Sequence, residues 1–209
     1  MYNEIIRQLK KSYDEKAGER DKKAISLWKV DERAKFLSFI QREQKDTLLE
    51  IGAGIGKHGA FFSNCGLNVT CIDLSLENLR FCQQKNLTGA EMDFRYLGFP
   101  VNSFDALFAM NCLLHVPKEI LSEILVEIKR TLVEDGLFYL GQYGGVDQQG
   151  VVSDDIYEPK RFYALLTDQD LLQMIEKFFE IIYVKFIPLD GENDFHFQSL
   201  VLRKKFVGN

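Results

Sequence analysis

The spacing of apolar residues changes repeatedly along this chain. From Tyr2 to Lys16, Ile5, Ile6, Leu9 and Tyr13 fall at helical intervals, and Ala34, Leu37 and Ile40 do so again. The charged stretch from Glu15 to Lys23 between them reads as an exposed or flexible segment. From Thr47 the pattern becomes short apolar runs with polar ends. Thr47–Ile51, Asn68–Asp73, Ala90–Phe94, Asp105–Met110 and Leu137–Tyr143 read as five strands. Asp105–Met110 is almost wholly apolar, as a central parallel strand should be. Helices are expected from about Ile55 to Cys65, stopped by Gly66, and from the N-cap Ser75 to about Lys85. Another runs from Pro117 through Ile120, Leu121, Ile124, Leu125, Ile128 and Leu132, ended by Asp135-Gly136. Residues Gly144 to Glu158 read as an irregular polar loop. Thr167-Asp168-Gln169-Asp170 opens a helix to Phe178. Ile181–Ile187 and Phe195–Arg203 are two further strands joined by the turn-like Pro188–Asp194, and with no helix between them they should pair antiparallel.

Strand and helix alternate, so the expected fold is α/β, a doubly wound Rossmann-like sheet of seven strands, mostly parallel with the last antiparallel. No repeat or domain boundary interrupts the chain, and residues 1–209 read as one domain with a helical segment over 1–45. Ligands on such sheets sit outside the carboxyl ends of the strands. Glu50, Asp73, Asp93, Asn111 and Tyr143 end the strands and should crowd one rim.

The richest stretch on that rim is Leu48-Leu49-Glu50-Ile51-Gly52-Ala53-Gly54-Ile55-Gly56. Its glycines let the backbone turn sharply against a ligand. Asp73, about 20 residues further on, suits the two hydroxyls of a ribose. Dinucleotide sites favour G-x-G-x-x-G facing a pyrophosphate. Here the pattern is G-x-G-x-G with a carboxylate before it, which repels a pyrophosphate and suits the positive sulfonium and amino groups of S-adenosylmethionine (SAM).

At these residues the chain resembles the class I SAM-dependent methyltransferases. Leu48 to Gly56 resembles their first motif and Cys71-Ile72-Asp73-Leu74-Ser75 their ribose-binding motif. Met92-Asp93-Phe94 with Leu97-Gly98-Phe99-Pro100 resembles the segment that meets adenine, and Asn111 to Pro117 the loop beside methyl transfer. Glu134-Asp135-Gly136 departs from the family's usual Pro-Gly-Gly. The resemblance spans about Tyr13 to Lys204. It implies a seventh strand inserted antiparallel between the fifth and sixth, an N-terminal segment closing over the cofactor, and SAM converted to S-adenosylhomocysteine.

Each candidate has a plainer reading. Gly52, Ala53 and Gly54 form either a cofactor cradle or a mere turn. Asp73 is a ribose ligand or a helix cap, although Ser75 already supplies the cap. Glu50 serves the methionyl region or is a solvated strand end. Asp93 accepts from the adenine amino group or lies at the surface, beside Met92. Leu74 and Phe94 sandwich adenine or belong to the core. The resemblance lets Tyr13 reach the cofactor carboxylate; as a residue it is equally a surface helix position. The Asn111 backbone should approach the methionyl portion. His115 is a general base or a cap for the helix after Pro117, and His58 helps position the cofactor or stays solvated. Tyr143 and Arg161 are expected in the substrate pocket.

Composition narrows the class. Hydrophobic residues make up 46% and charged residues 27% of 209, with a net charge of -5, ordinary for a globular protein and opposed to a phosphate-backbone partner. Cys65, Cys71, Cys82 and Cys112 fit no zinc spacing and read as free, buried thiols of a reducing compartment. No apolar run reaches membrane-spanning length, and the polar N-terminus is unlike a secretory signal. A cytoplasmic monomer or homodimer acting on a small-molecule O, N or S acceptor is expected, with no metal, nucleic-acid or membrane partner. The alternatives are a nicotinamide-dependent oxidoreductase, a non-catalytic SAM-binding module, or methylation of protein or RNA.

Overall fold

The computed structural model describes residues 1–189 and 194–205. Two helices come first, α1 (Tyr2–Lys22) and α2 (Leu27–Arg42). Then follow β1 (Thr47–Ile51), α3 (Lys57–Asn64), β2 (Asn68–Asp73), α4 (Leu76–Gln84), β3 (Thr88–Glu91) and β4 (Phe104–Met110). A short 3₁₀ turn at Leu113–His115 leads to α5 (Lys118–Thr131) and β5 (Leu132–Gly144). The chain ends with β6 (Gln148–Val151), β7 (Phe162–Leu165), α6 (Asp168–Glu176), β8 (Phe179–Pro188) and β9 (His196–Lys204).

The main sheet has seven strands in the order β3-β2-β1-β4-β5-β9-β8. β1 through β5 pair in parallel, and β9 lies antiparallel to both β5 and β8. This is the expected doubly wound sheet, with its last strand inserted between the two before it. The strand order reverses at β1 and β4, where the carboxyl ends diverge and leave a crevice.

Each face of the sheet carries its own apolar layer. On one face Phe36, Ile40, Phe62 and Leu79 from α2, α3 and α4 pack against Leu48, Phe108 and Tyr139. Phe108 and Tyr139 stack with ring centroids 4.7 Å apart. On the other, Leu121, Ile124, Leu125 and Ile128 of α5 and Leu171 and Ile175 of α6 cover Leu49, Leu107 and Phe138. Each such side chain contributes roughly 1.5–3 kcal/mol when fully buried.

Four expectations change. The segment Glu15–Lys23 is not a separate exposed stretch: α1 continues to Lys22, because its charges ride the solvent side of a helix whose apolar stripe stays buried. Residues Gly144 to Glu158 are not wholly irregular. β6 pairs antiparallel with β7 as a second, two-stranded sheet, and strands this short and polar leave no period-2 signal. Asp135-Gly136 does not stop α5, which ends at Thr131; Asp135 takes φ +58 inside β5. Cys65 is exposed, while the other three free cysteines are buried. The expected turn from Pro188 to Asp194 falls largely outside the described residues. Among the described residues no helix is long and apolar enough to cross a membrane.

Candidate functional site

The glycine turn after β1 sets the floor of the site. Gly52 and Gly54 have φ of +62 and +56, the left-handed region that side chains resist. A Cβ on Gly52 would lie 2.3 Å from Cβ of Cys112, so this turn is pressed against the loop leaving β4. At Gly54 the nearest side-chain atom to such a Cβ is Nη2 of Arg20, 3.1 Å away.

Asp73 closes β2 and fixes that turn. Its Oδ2 accepts from the Gly54 amide at 2.8 Å, and its Oδ1 accepts from the Ser75 amide at 2.9 Å and Nδ2 of Asn78 at 3.1 Å. A carboxylate offers about four acceptor positions, so room for a further donor remains. Burial pushes the Asp73 pKa up, while the three bonds pull against it. Glu50 is more isolated. Only 2% exposed, it accepts from the Cys71 thiol at 3.6 Å and from the Gly59 amide. Burial lifts its carboxyl to about 8, so the acid is protonated at neutral pH, and a bound cation would turn it into a carboxylate.

Across the crevice, Asn111 leaves β4 with φ +58 and donates its amide to the Gly141 carbonyl at 2.7 Å. His115 follows on the 3₁₀ turn. Its Nδ1 lies 2.7 Å from the Phe162 carbonyl, and its Nε2 lies 2.6 Å from the Tyr13 hydroxyl. A carbonyl only accepts, which assigns the proton to Nδ1 and leaves Nε2 to accept from Tyr13. Burial, aided by Arg161 and Arg20, pulls the imidazole down to about 3, so it is neutral. Arg161 donates from Nη1 to the Tyr13 oxygen at 3.3 Å and is held by Asp155 through its amide, Nε and Nη2 at 2.8–2.9 Å.

Helix α1 roofs this arrangement. Tyr2, Ile6, Leu9, Tyr13 and Arg20 project along one stripe into the cavity. The helix is tied down at several points: Tyr2 donates to Asp93 at 2.6 Å, and Asp14 accepts from the Ser75 hydroxyl at 2.6 Å and the Glu77 amide at 3.2 Å. Ser12 donates to the Pro159 carbonyl.

The cavity measures about 340 Å³. Of the residues singled out in sequence, Tyr13, Glu50, Gly52, Ala53, Gly54, Asp73, Leu74, Phe94, Asn111, His115, Tyr143 and Arg161 all line it, and so does His58. Met92 and Asp93 stand outside the lining. The Met92 sulfur accepts from the Gly98 amide at 3.3 Å, and Asp93 is taken by Tyr2 and the Arg95 amide. Tyr2, Arg20, Lys29 and Asn78 line the cavity without having been singled out. The signal for Arg20 was available, since it lies seven residues beyond Tyr13, two helical turns along the same face. Asn78 sits three residues after its helix cap, where nothing in the sequence marks it.

The donor set suits an adenosyl amino acid. Among the described residues, five have buried side-chain polar atoms with no hydrogen-bond partner. Four of these, Arg20 Nε, His58 Nδ1, Asn78 Oδ1 and Asn111 Oδ1, belong to residues around this one cavity. Unpaired buried polar groups are costly, and their convergence marks a place where a polar ligand completes the bonding.

The comparisons with known proteins agree with this geometry. Residues 49–140 match a family model described as a methyltransferase domain. The sheet order agrees with that match, and the fold is that of the class I SAM-dependent methyltransferases. None of the curated protein sequences matches it. Among solved structures it is similar to the Burkholderia thailandensis 1,6-didemethyltoxoflavin-N1-methyltransferase, bound there to 1,6-didemethyltoxoflavin and S-adenosylhomocysteine. The identity is 18% over 98% of this chain and 89% of that one, with a TM-score of 0.73. A Methanosarcina mazei SAM-dependent methyltransferase aligns at 21% identity over 77% and 92% of the two chains, TM-score 0.66. The Haemonchus contortus phosphoethanolamine N-methyltransferase 2, in complex with SAM, aligns at 18% over 77% of this chain and 49% of that one, TM-score 0.59.

Proposed function

We propose that this protein transfers the methyl group of SAM to an O, N or S atom of a small-molecule acceptor by in-line displacement. One observation carries the reading. A single cavity joins the glycine turn and Asp73 at one end to Tyr13, His115, Tyr143 and Arg161 at the other. Bound there, SAM supplies an electrophilic methyl group on a sulfonium whose thioether leaves readily.

The chain's own residues then have defined tasks. Asp73 and the orphaned Asn78 Oδ1 share the ribose hydroxyls. Leu74 and Phe94 flank the adenine. Met92 and Asp93 shape its outer edge, Asp93 by anchoring Tyr2. Glu50 balances the positive methionyl end, beside the Gly52-Ala53-Gly54 backbone and Asn111, and Arg20 receives the methionyl carboxylate. Tyr143 and Arg161 wall the acceptor. His115 acts through Tyr13: with both ring nitrogens bonded and its basicity suppressed, it positions the Tyr13 hydroxyl toward the acceptor rather than removing a proton itself. Holding reactants in line supplies roughly 7–11 kcal/mol of such a barrier, so no strong base is required. Residues 1–45 serve as the lid of a single 209-residue domain. Free thiols at all four cysteines favour a cytoplasmic location.

The test has two parts. Calorimetry should show S-adenosylhomocysteine binding and no NADH binding; the reverse rejects the reading in favour of an oxidoreductase. Radiolabelled SAM incubated with a metabolite extract should then yield labelled product with the unmodified protein and none with Asp73→Ala. Tight cofactor binding with no transfer to any component would leave a non-catalytic module.

A further inference from the structure

Beside the transfer cavity lies a second hollow of about 260 Å³, opening from it past Arg20, Lys29, Ala53 and His58. Among the described residues, Arg20, Lys23, Lys29 and Lys57 line it, and no carboxylate does. Among the described residues, none of these four cations lies within ion-pair distance of a carboxylate. The nearby Asp21 is taken by Lys85 at 3.0 Å. Among the described residues, Lys57 Nζ donates only to the carbonyls of Arg20 and Lys23.

Two helix N-termini add to this field. α2 begins after Ser26 and α3 after Gly56; neither has a side-chain cap or an acidic residue in its first turn. Ser26, Lys29, Lys57 and His58 bring both ends to the hollow, with the positive poles of their dipoles toward it. His58 Nδ1 is sealed from water there without a partner. Unmatched lysines, uncapped helix ends and an orphaned nitrogen are what an anion requires.

We infer that this hollow seats an anionic group, a carboxylate or a phosphate, belonging to the methyl acceptor. The inference rests on the methyltransferase reading and narrows it: the acceptor is a small anion, held by Lys23, Lys29 and Lys57 while its nucleophilic atom faces Tyr13. Arg20 stays with the cofactor. Glu50 and Asp73 serve the adenosyl and methionyl groups, so no acid of the site remains to neutralise those lysines.

Two measurements test it. Amide NMR of the S-adenosylhomocysteine complex is followed while sodium phosphate or sodium acetate replaces sodium chloride at constant ionic strength. Saturable shifts at Lys57 and His58 are expected, and the anion that binds more tightly distinguishes phosphate from carboxylate. In the Lys23→Gln/Lys29→Gln variant that affinity should fall at least about fivefold with cofactor affinity within about twofold. Absence of saturation with either anion overturns the inference, and so does an equal loss of cofactor affinity, which would make the hollow part of the cofactor site. Second, the labelled product of the extract assay should be retained by an anion exchanger at neutral pH; an unretained product overturns the acceptor class. Failure of S-adenosylhomocysteine to bind the unmodified protein would instead sink the methyltransferase reading, and the anion titration of the free protein would then decide the hollow alone.

Discussion

The Tyr13 hydroxyl lies 2.6 Å from Nε2 of His115, and the two residues are 102 positions apart in sequence. The contact joins the roofing helix to the loop after β4, so the position of Tyr13 depends on His115, whose tautomer the Phe162 carbonyl fixes. Because the pair acts as a unit, Tyr13→Phe, His115→Asn and the double variant should each lower methyl transfer by a similar factor, about tenfold, rather than multiplying. Cofactor affinity should change little. Losses of about 10²–10⁴-fold confined to His115→Asn would instead mark it as a true general base. Burial also predicts that the His115 ring does not protonate between pH 5 and 8, since it is pulled down to about 3; its ring resonances should stay fixed across that range.

Glu50 gives a stability prediction with a definite sign. Its folded pKa is raised from 4.5 to about 8. Between those values the folded protein holds a proton that the unfolded chain has released. Its contribution to stability is therefore greatest at low pH and declines as pH rises toward 8. Glu50→Gln removes the need to ionise a buried acid. It should stabilise the cofactor-free protein by about 2 kcal/mol at pH 8, roughly 4–8 °C in Tm, with a smaller gain at pH 5. The same carboxyl should ionise when a cationic ligand binds, so calorimetry at pH 7 in buffers of different ionisation enthalpy should detect proton release, absent in Glu50→Gln.

Local chemistry explains which parts were legible beforehand. The glycine turn, Asp73 and the βαβ alternation are short-range patterns, and the sheet, its antiparallel last strand and most of the cavity wall follow from them. What was missed depends on tertiary contacts. Arg20 enters the site only because α1 runs on to Lys22, held by the Asp14–Ser75 and Lys85–Asp21 contacts. β6 and β7 form because they meet each other, with no alternation to announce them. Asp93 was expected to close a strand over Ala90–Phe94, but β3 ends at Glu91, and Tyr2 reaches Asp93 beyond it, a contact spanning 91 residues. Lys29 carries a charge that no local motif explains, and its place over the Tyr143 ring, 5.2 Å from the centroid, is visible only in the folded chain.

The two cavity-floor glycines should respond differently to alanine. At Gly52 the new methyl would overlap Cβ of Cys112 at 2.3 Å, on backbone that already disfavours a side chain. Gly52→Ala should destabilise the whole protein, by about 2–4 kcal/mol from overpacking and strain combined, seen as a lower Tm without any ligand. At Gly54 the nearest atom is the mobile end of Arg20. Gly54→Ala carries the backbone strain alone, about 1–2 kcal/mol, but should weaken cofactor binding by more than its loss of stability suggests. If Gly54→Ala bound S-adenosylhomocysteine normally, this turn would not be the cofactor's floor.

Asp73 and Asn78 divide the sugar's hydroxyls in a way that a thermodynamic cycle can resolve. Asp73 already accepts three protein donors, so it has room for one more strong bond, and the second hydroxyl falls to Asn78 Oδ1, which has no partner. Asp73→Ala therefore removes a charged acceptor and releases the Gly54 amide and Asn78 together. Its cost to S-adenosylhomocysteine binding should exceed a single charge-assisted bond of about 1.5–3 kcal/mol, which is at least tenfold in affinity. Asn78→Ala should cost about 1 kcal/mol, some fivefold, through its neutral bond. The double variant should lose less than the two single losses combined, because Asn78 is positioned by Asp73. The 2′- and 3′-deoxy analogues of S-adenosylhomocysteine add a second axis: Asn78→Ala should erase the penalty for removing one hydroxyl and leave the other intact. Equal penalties for both analogues in Asn78→Ala would mean that Asp73 alone holds the sugar.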